Sequence, residues 1–299
     1  MTDKKKEIAL VLSSGGARGM AHIGVINTLE KHGYKIKAIS GASMGALVGG
    51  IYAAGKLKTL EDWFKQLDRR QVLSLVDITI SANGLVKGEK VIHEMEEMIP
   101  DRNIEDLEIP FCAVATDILN EEEILFESGK LYDAIRASIS IPTVMTPHKV
   151  NGRQLVDGGV INPIPSNRVK RTDGDILVVS HVNARITEMS EDLPARSSDQ
   201  SEGDDSDKST TIKTLNAIQD KLSKIIPRNN KDKIGIFNLI NRSTSLMLHI
   251  ISKNTIDQYP PDILVKVDRR SYGTFDFYKA EDIIRAGEEA CEKALEDNK

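Results

Sequence analysis

The run Ile8-Ala-Leu-Val-Leu-Ser13, followed at once by Gly15 and Gly16, constrains this chain more than any other stretch. An unbroken apolar run has no polar face to turn to water. As a strand it must be covered on both sides, which is the situation of a parallel sheet flanked by helices. The next segments agree. Gly19 to His32 carries Ile23, Ile26 and Leu29 at helical spacing, with Gly33 as a C-terminal stop. Lys37-Ala-Ile-Ser40 reads as a second short strand, and Gly45 to Ala54 as a helix rich in small residues. A βαβα opening predicts an α/β fold.

Further along, Leu60–Leu67 and Glu89–Ile99 read as helices, and Phe111–Thr116 with Ile124–Glu127 as strands of a hairpin. Leu131–Ala137 is a short helix, and Gln154–Val156 and Ile176–Ser180 are strands. The composition changes after Asn183. Ser197 to Asp207 is polar and acidic with no apolar side chain to bury, so a mobile loop is expected. Pro227–Lys233 is a second polar break. Ile212–Ile226 and Ile234–Ile251 have helical period, Ile263–Val267 is a strand and Ala280–Leu295 a closing helix. The expected organisation is a catalytic core over 1–182 and a polar, partly disordered insertion with a helix over 183–233. Helices and a strand over 234–299 then complete the same domain.

Three stretches carry chemistry. Gly41-Ala-Ser-Met-Gly45 sits between a strand and a helix, the setting of a nucleophile elbow, where a serine is held on a tight turn. Its glycines leave room for that turn, and the following helix N-terminus favours developing negative charge. Alone, the pentapeptide also fits a plain glycine-rich strand–helix turn. Ser14-Gly-Gly-Ala-Arg-Gly19 follows the first strand. It lacks the Gly-Lys-Ser/Thr ending of a phosphate loop, and the first glycine and acidic partner of a dinucleotide-binding turn. An oxyanion hole made from backbone N–H groups fits it better. In Val156-Asp-Gly-Gly159 a strand delivers an aspartate into two glycines, a pattern that a simple turn-former also gives.

In this order the three stretches resemble the patatin-like phospholipase family. Ala137-Ser-Ile-Ser-Ile-Pro142, running to Pro147, and Asp157-Gly-Gly-Val-Ile-Asn-Pro-Ile-Pro165 match as well, so the resemblance covers Ile8 to Ser180. The closing Gly273-Thr-Phe-Asp-Phe277 with its helix looks like small prokaryotic members. The resemblance implies a three-layer α/β/α patatin-like fold with a mostly parallel central sheet, and a serine acyl hydrolase of phospholipase A or lysophospholipase type. Ser43 falls on the family's nucleophile and Asp157 on its base. Gly15, Gly16 and Arg18 fall on the oxyanion loop, and Gly19, Gly41, Gly45, Gly158 and Gly159 are supporting motif positions. The family usually has glycine where this chain has Ser14. No metal or cofactor is implied, and the partner is a lipid or fatty-acyl ester. The Arg18 side chain is a second candidate, for a lipid phosphate.

Other readings remain at this level. An α/β-hydrolase triad would draw its base from His93, His148, His181 or His249, all of which follow Ser43, with His181 and His249 the candidates. A catalytically weak regulator or adaptor on the same fold, or an acyltransferase, would keep the same motifs. Leu73–Ile78 and Leu246–Ile251 suit core packing, or the lining or cap of an acyl channel. Composition narrows the rest. Aromatics at 4% and a net charge of −5 argue against a nucleic-acid surface. The two cysteines, Cys112 and Cys291, have no metal-ligand spacing and fit a reducing compartment. With neither signal peptide nor membrane span in the pattern, a cytoplasmic protein is expected, whose membrane contact would be peripheral.

Overall fold

The computed structural model describes residues 6–75, 88–186 and 236–298. The expected loop at 197–207, the break at 227–233 and the helix at 212–226 lie outside them. The chain divides into two compact units, Met1–Met189 with Met247–Lys299, and Ser190–Leu246. The elements of the larger unit, in chain order, begin with β1 (Glu7–Leu12), α1 (Ala21–Lys31), β2 (Lys35–Ala42), α2 (Met44–Ala53), α3 (Leu57–Gln66) and α4 (Arg69–Leu75). Then come α5 (Glu89–Met98), β3 (Phe111–Asp117), β4 (Glu122–Phe126), α6 (Leu131–Ser138), β5 (His148–Val150), β6 (Arg153–Asp157) and β7 (Ile176–Ala184). The long helix α7 (Ile236–Gln258) runs from the smaller unit into the larger, where β8 (Ile263–Asp268) and α8 (Ala280–Glu296) close the chain.

Among the described residues the strands form one sheet in the order β5-β6-β3-β2-β1-β7-β8, with β4 paired to β3. From β3 through β8 every neighbour along this order is parallel, while β4, β5 and β6 add antiparallel pairs at the β3 end. β1 lies at the centre, and its Ile8 to Leu12 are wholly buried, as the unbroken apolar run requires. Leu10 and Leu12 face a core shared with Ile23, Ile26 and Leu29 of α1 and Ile283 and Ile284 of α8. Ala9 and Val11 face the opposite side, toward Ile164, Val169 and Ile256 of α7. Helices therefore cover both faces, and the fold is a three-layer α/β/α sandwich. Both free cysteines, Cys112 and Cys291, are buried in it.

The sequence pattern missed two elements, α4 and β5. The β5–β6 hairpin turns at Asn151 and Gly152, both at positive φ. Asn-Gly between two strands is a strong hairpin signal, but a three-residue strand such as β5 has too little alternation to show beside it. From Leu73–Ile78, Leu75 is buried in the main core.

Candidate active site

The parallel strands deliver their C-terminal ends to one edge of the sheet, and there the three glycine-punctuated stretches meet. β2 ends at Ala42, and Ser43 stands at φ 55, ψ −126 as the N-cap of α2. That backbone state is costly for a residue with a side chain. It lets the chain reverse from strand to helix while the hydroxyl points away from both. Close approach explains the neighbouring glycine: a Cβ at Gly45 would lie 2.1 Å from the Leu12 carbonyl oxygen. The Ser43 N–H donates to Ser138 Oγ at 2.8 Å, and Ser138 in turn donates to the Val114 carbonyl at 2.6 Å. Strand β3 and helix α6 thus hold the elbow from below.

β6 lies beside β3, with Asp157 opposite Ala115. This brings Asp157 to Ser43, whose Oγ donates to Asp157 Oδ2 at 2.6 Å. The other carboxylate oxygen accepts the Gly159 N–H at 2.7 Å, and Thr116 Oγ1 donates to the Asp157 carbonyl at 3.0 Å. Ser43 is 2% exposed and Asp157 6%. Burial disfavours the carboxylate and raises the Asp157 pKa from 3.8 to about 6, against the opposing pull of the Ser43 and Gly159 hydrogen bonds.

The loop after β1 closes the third side. A Cβ on Gly159 would come within 2.8 Å of the Ser14 side chain, so the Asp-Gly-Gly turn and the Ser14–Gly19 loop lie against each other. Ser14 N–H and Ala17 N–H donate to the Pro163 and Thr274 carbonyls, whereas the Gly15 and Gly16 amides make no such loop bond among the described residues. Gly16 sits at φ +54 with Thr274 pressed on it. Ser14 takes no positive φ, so serine in place of the family's usual glycine brings no backbone strain here. The Arg18 side chain is turned inward: Nε donates to Asn183 Oδ1 and Nη1 to the Tyr272 carbonyl, both at 2.8 Å. Desolvation, with Arg269 nearby, lowers its pKa to about 10. The guanidinium ties the loop to β7 and to the segment after β8.

The histidines fall elsewhere. His181 lies on β7, separated from β2 by β1. It is buried, with a pKa lowered by desolvation to about 3 and an Nδ1 that lacks a hydrogen-bond partner among the described residues. His249 is on α7, and His93 and His148 pair with Glu97 and Asp133. None of them bonds Ser43 or Asp157. One histidine ahead of Ser43 in the chain does support the site. His22 is fully buried, one ring nitrogen 2.9 Å from the Ser13 carbonyl and the other 2.8 Å from Ser180 Oγ. It braces the strand end from which the Gly15 loop departs. No motif announces it, because its partner Ser180 is 158 residues away.

Among the described residues, no group of three or more His, Cys, Asp or Glu side chains is placed to hold a metal ion. No helix among them is long and apolar enough to cross a membrane.

The buried Ser43–Asp157 pair thus lies at the C-terminal edge of a three-layer α/β/α sandwich. Residues 10–167 match the model of the patatin-like phospholipase family. An uncharacterized NTE family protein of Mycobacterium bovis is 33% identical over 97% of this chain and 91% of its own length. The neuropathy target esterase sws of Drosophila persimilis is 33% identical over 53% of this chain, and a lysophospholipase NTE1 of Scheffersomyces stipitis is 29% identical over 59%. Those matches span only 11% and 12% of the two longer proteins. Among solved structures, VipD from Legionella pneumophila aligns with a TM-score of 0.47 at 14% identity, over 99% of this chain and 67% of that one. The chain belongs to the patatin-like phospholipase family, and its relatives support a lipid hydrolase.

Proposed function

We propose that the chain is a serine acyl hydrolase that cleaves lipid acyl esters, of phospholipase A or lysophospholipase type, through a Ser43–Asp157 dyad. The carrying observation is the 2.6 Å bond from Ser43 Oγ to a buried Asp157 whose pKa is raised to about 6. An aspartate at its ordinary value is too weak a base for a serine hydroxyl. Held near 6 it is still ionised at neutral pH and accepts a proton more readily.

Ser43 Oγ attacks the ester carbonyl carbon as its proton passes to Asp157, and the carbonyl oxygen takes up negative charge. The Gly15 and Gly16 amides, with the Arg18 amide, are the donors for that oxyanion, and the N-terminus of α2 behind Ser43 adds to their field. Collapse expels the alcohol, which takes the proton from Asp157 and leaves the acyl group on Ser43. Water then attacks the acyl-enzyme, its proton passing to Asp157 and back to Ser43 as the fatty acid departs. Gly19, Gly41, Gly45, Gly158 and Gly159 keep the three stretches close enough for this sequence.

Hydrolysis of a medium-chain p-nitrophenyl ester and of a lysophospholipid by the wild type, Ser43→Ala, Asp157→Asn and His181→Ala tests the reading. Loss of activity in the first two variants and its retention in the third is the expected result. An active Asp157→Asn together with an inactive His181→Ala would refute the dyad.

A further inference from the structure

Several exposed large apolar side chains of the larger unit stand around one edge. Ile118 (45% exposed) and Leu119 (66%) directly follow the C-terminal end of β3. Ile161 lies two residues before Pro163, whose carbonyl accepts the Ser14 N–H, and Phe275 adjoins Thr274, which presses on Gly16. All four stand on the side of the sheet where β2 delivers Ser43. The helix α7 adds to them. It runs opposite to the parallel strand β8 that follows it, so from Ile256, packed beneath β1 and β7, it rises toward the catalytic edge. On the way Met247 and Ile250 are exposed, one helical turn apart.

Charge at the β7–β8 end of this edge is basic, whereas Glu121 and Glu122 are exposed beside Leu119 at the β3 end. Arg185 and Arg269 directly follow the paired ends Ala184 and Asp268 of β7 and β8, and Lys253 is on α7. Among the described residues none of the three has an ion-pair partner, although the chain carries a net charge of −5. The carboxylates of Asp268 and Asp276 nearby are paired internally with Arg270 and Lys279. From Ile236 to Ile256 the helix has no acidic residue. His249, which these cations surround, has its pKa lowered by desolvation and by Arg269, Arg185 and Lys253.

We propose that this edge is a docking face that seats on an anionic lipid bilayer and so holds Ser43 against the surface from which its acyl esters are drawn. The inference rests on the hydrolase reading above. Exposed apolar patches rimmed by polar groups mark interaction surfaces, and a helix whose only acidic residue, Asp257, lies at its far end below Ile256 suits an anionic interface along Met247–Lys253. A second copy of the chain fits poorly. An antiparallel α7–α7 contact centred on Met247 would set Arg242 of each copy beside Lys253 of the other.

The test is sedimentation of the full chain carrying Ser43→Ala with vesicles of phosphatidylcholine alone and of phosphatidylcholine mixed with phosphatidylglycerol. Because this readout needs no turnover, it succeeds or fails independently of the ester assay. The protein is expected to partition onto the mixed vesicles. Arg185→Gln and Lys253→Gln should each weaken that partition about fivefold while leaving the weak phosphatidylcholine binding alone. Leu119→Ser and Met247→Ser should weaken binding to both vesicles by about tenfold. All four side chains are exposed, and thermal melts check that the variants fold. No partition of the parent protein, or partition unchanged in all four variants, overturns the proposal. So does an acidic polypeptide that binds through Arg185 and Lys253 while the vesicles do not bind.

Discussion

Asp157 is the residue at which function and stability oppose each other, and Asp157→Asn separates the two. A carboxyl group held at about 6 in the folded chain and at 3.8 when exposed binds its proton more tightly when folded. The sign follows. Below about 3.8 both states are protonated and there is no penalty; above about 6 both are ionised and the folded state bears the full cost. At 1.36 kcal/mol per tenfold difference that cost is about 3 kcal/mol at pH 7.5, falling to about half that at pH 5. Asparagine has the same shape, stays neutral at every pH, still accepts the Gly159 N–H and places an amide against Ser43. The variant should therefore be more stable than the wild type in urea denaturation by about 3 kcal/mol at pH 7.5, the gap narrowing toward pH 5. It should also lose roughly 10²–10⁴-fold in ester hydrolysis. A variant no more stable than the wild type at pH 7.5, or a gap independent of pH, would refute the argument that burial raises this group.

The same titration predicts that wild-type kcat/KM rises with pH through about 6, read from a pH–rate profile on a soluble ester. His22→Ala strands the Ser13 carbonyl and the Ser180 hydroxyl and opens a cavity, so it should cost roughly 2–4 kcal/mol in urea denaturation at pH 7.5. His22 is held neutral with its pKa lowered by burial from 6.5 to about 4, so the unfolded chain takes up a proton first as pH falls. Its stabilisation is full above about 6.5 and lost toward 4, and the variant's stability should fall less steeply across that window. Gly45→Ala drives a methyl group to 2.1 Å from the Leu12 carbonyl, and should destabilise by about 3 kcal/mol with loss of esterase activity, checked by urea midpoint and by turnover.

The parts of the site that were legible are those where backbone geometry restricts the residue. Gly15 and Gly16, Gly41 and Gly45, and Gly158 and Gly159 occupy strand ends that turn tightly or touch another backbone, so each leaves a local mark. The supports were not legible. Ser138 reaches Ser43 across 95 residues of sequence and Thr116 reaches Asp157 across 41. Any serine or threonine elsewhere looks the same, because their roles come from partners and not from neighbours. Ser138 lay within a stretch already matched to the family, but the match does not say what its hydroxyl does. The Arg18 guanidinium, a candidate for a lipid phosphate, is instead bonded inward to Asn183 and Tyr272, since its loop packs on β7 and the segment after β8. For α7, period reveals an amphipathic helix but not which face is covered. Only the packing of Ile256 against Ala9 and Val11, with Met247 and Ile250 left outside, settles that.

Strain at Ser43 gives a further test of how the elbow is held. At φ 55, ψ −126 a side chain costs on the order of 1–3 kcal/mol, while glycine enters that region freely. At an ordinary site alanine is the more stable of the two residues by roughly 0.5–1 kcal/mol, because glycine loses more backbone freedom on folding. Ser43→Ala and Ser43→Gly both remove the hydroxyl and its bond to Asp157, so comparing them cancels that loss. What remains is strain relieved against entropy lost, and the first is the larger. Ser43→Gly should thus exceed Ser43→Ala in stability by about 1 kcal/mol in urea denaturation at pH 7.5. If alanine equals or exceeds glycine, the elbow relaxes once the hydroxyl is gone. The conformation would then be imposed by the bond to Asp157, and not by the sheet, Ser138 and the close approach at Gly45.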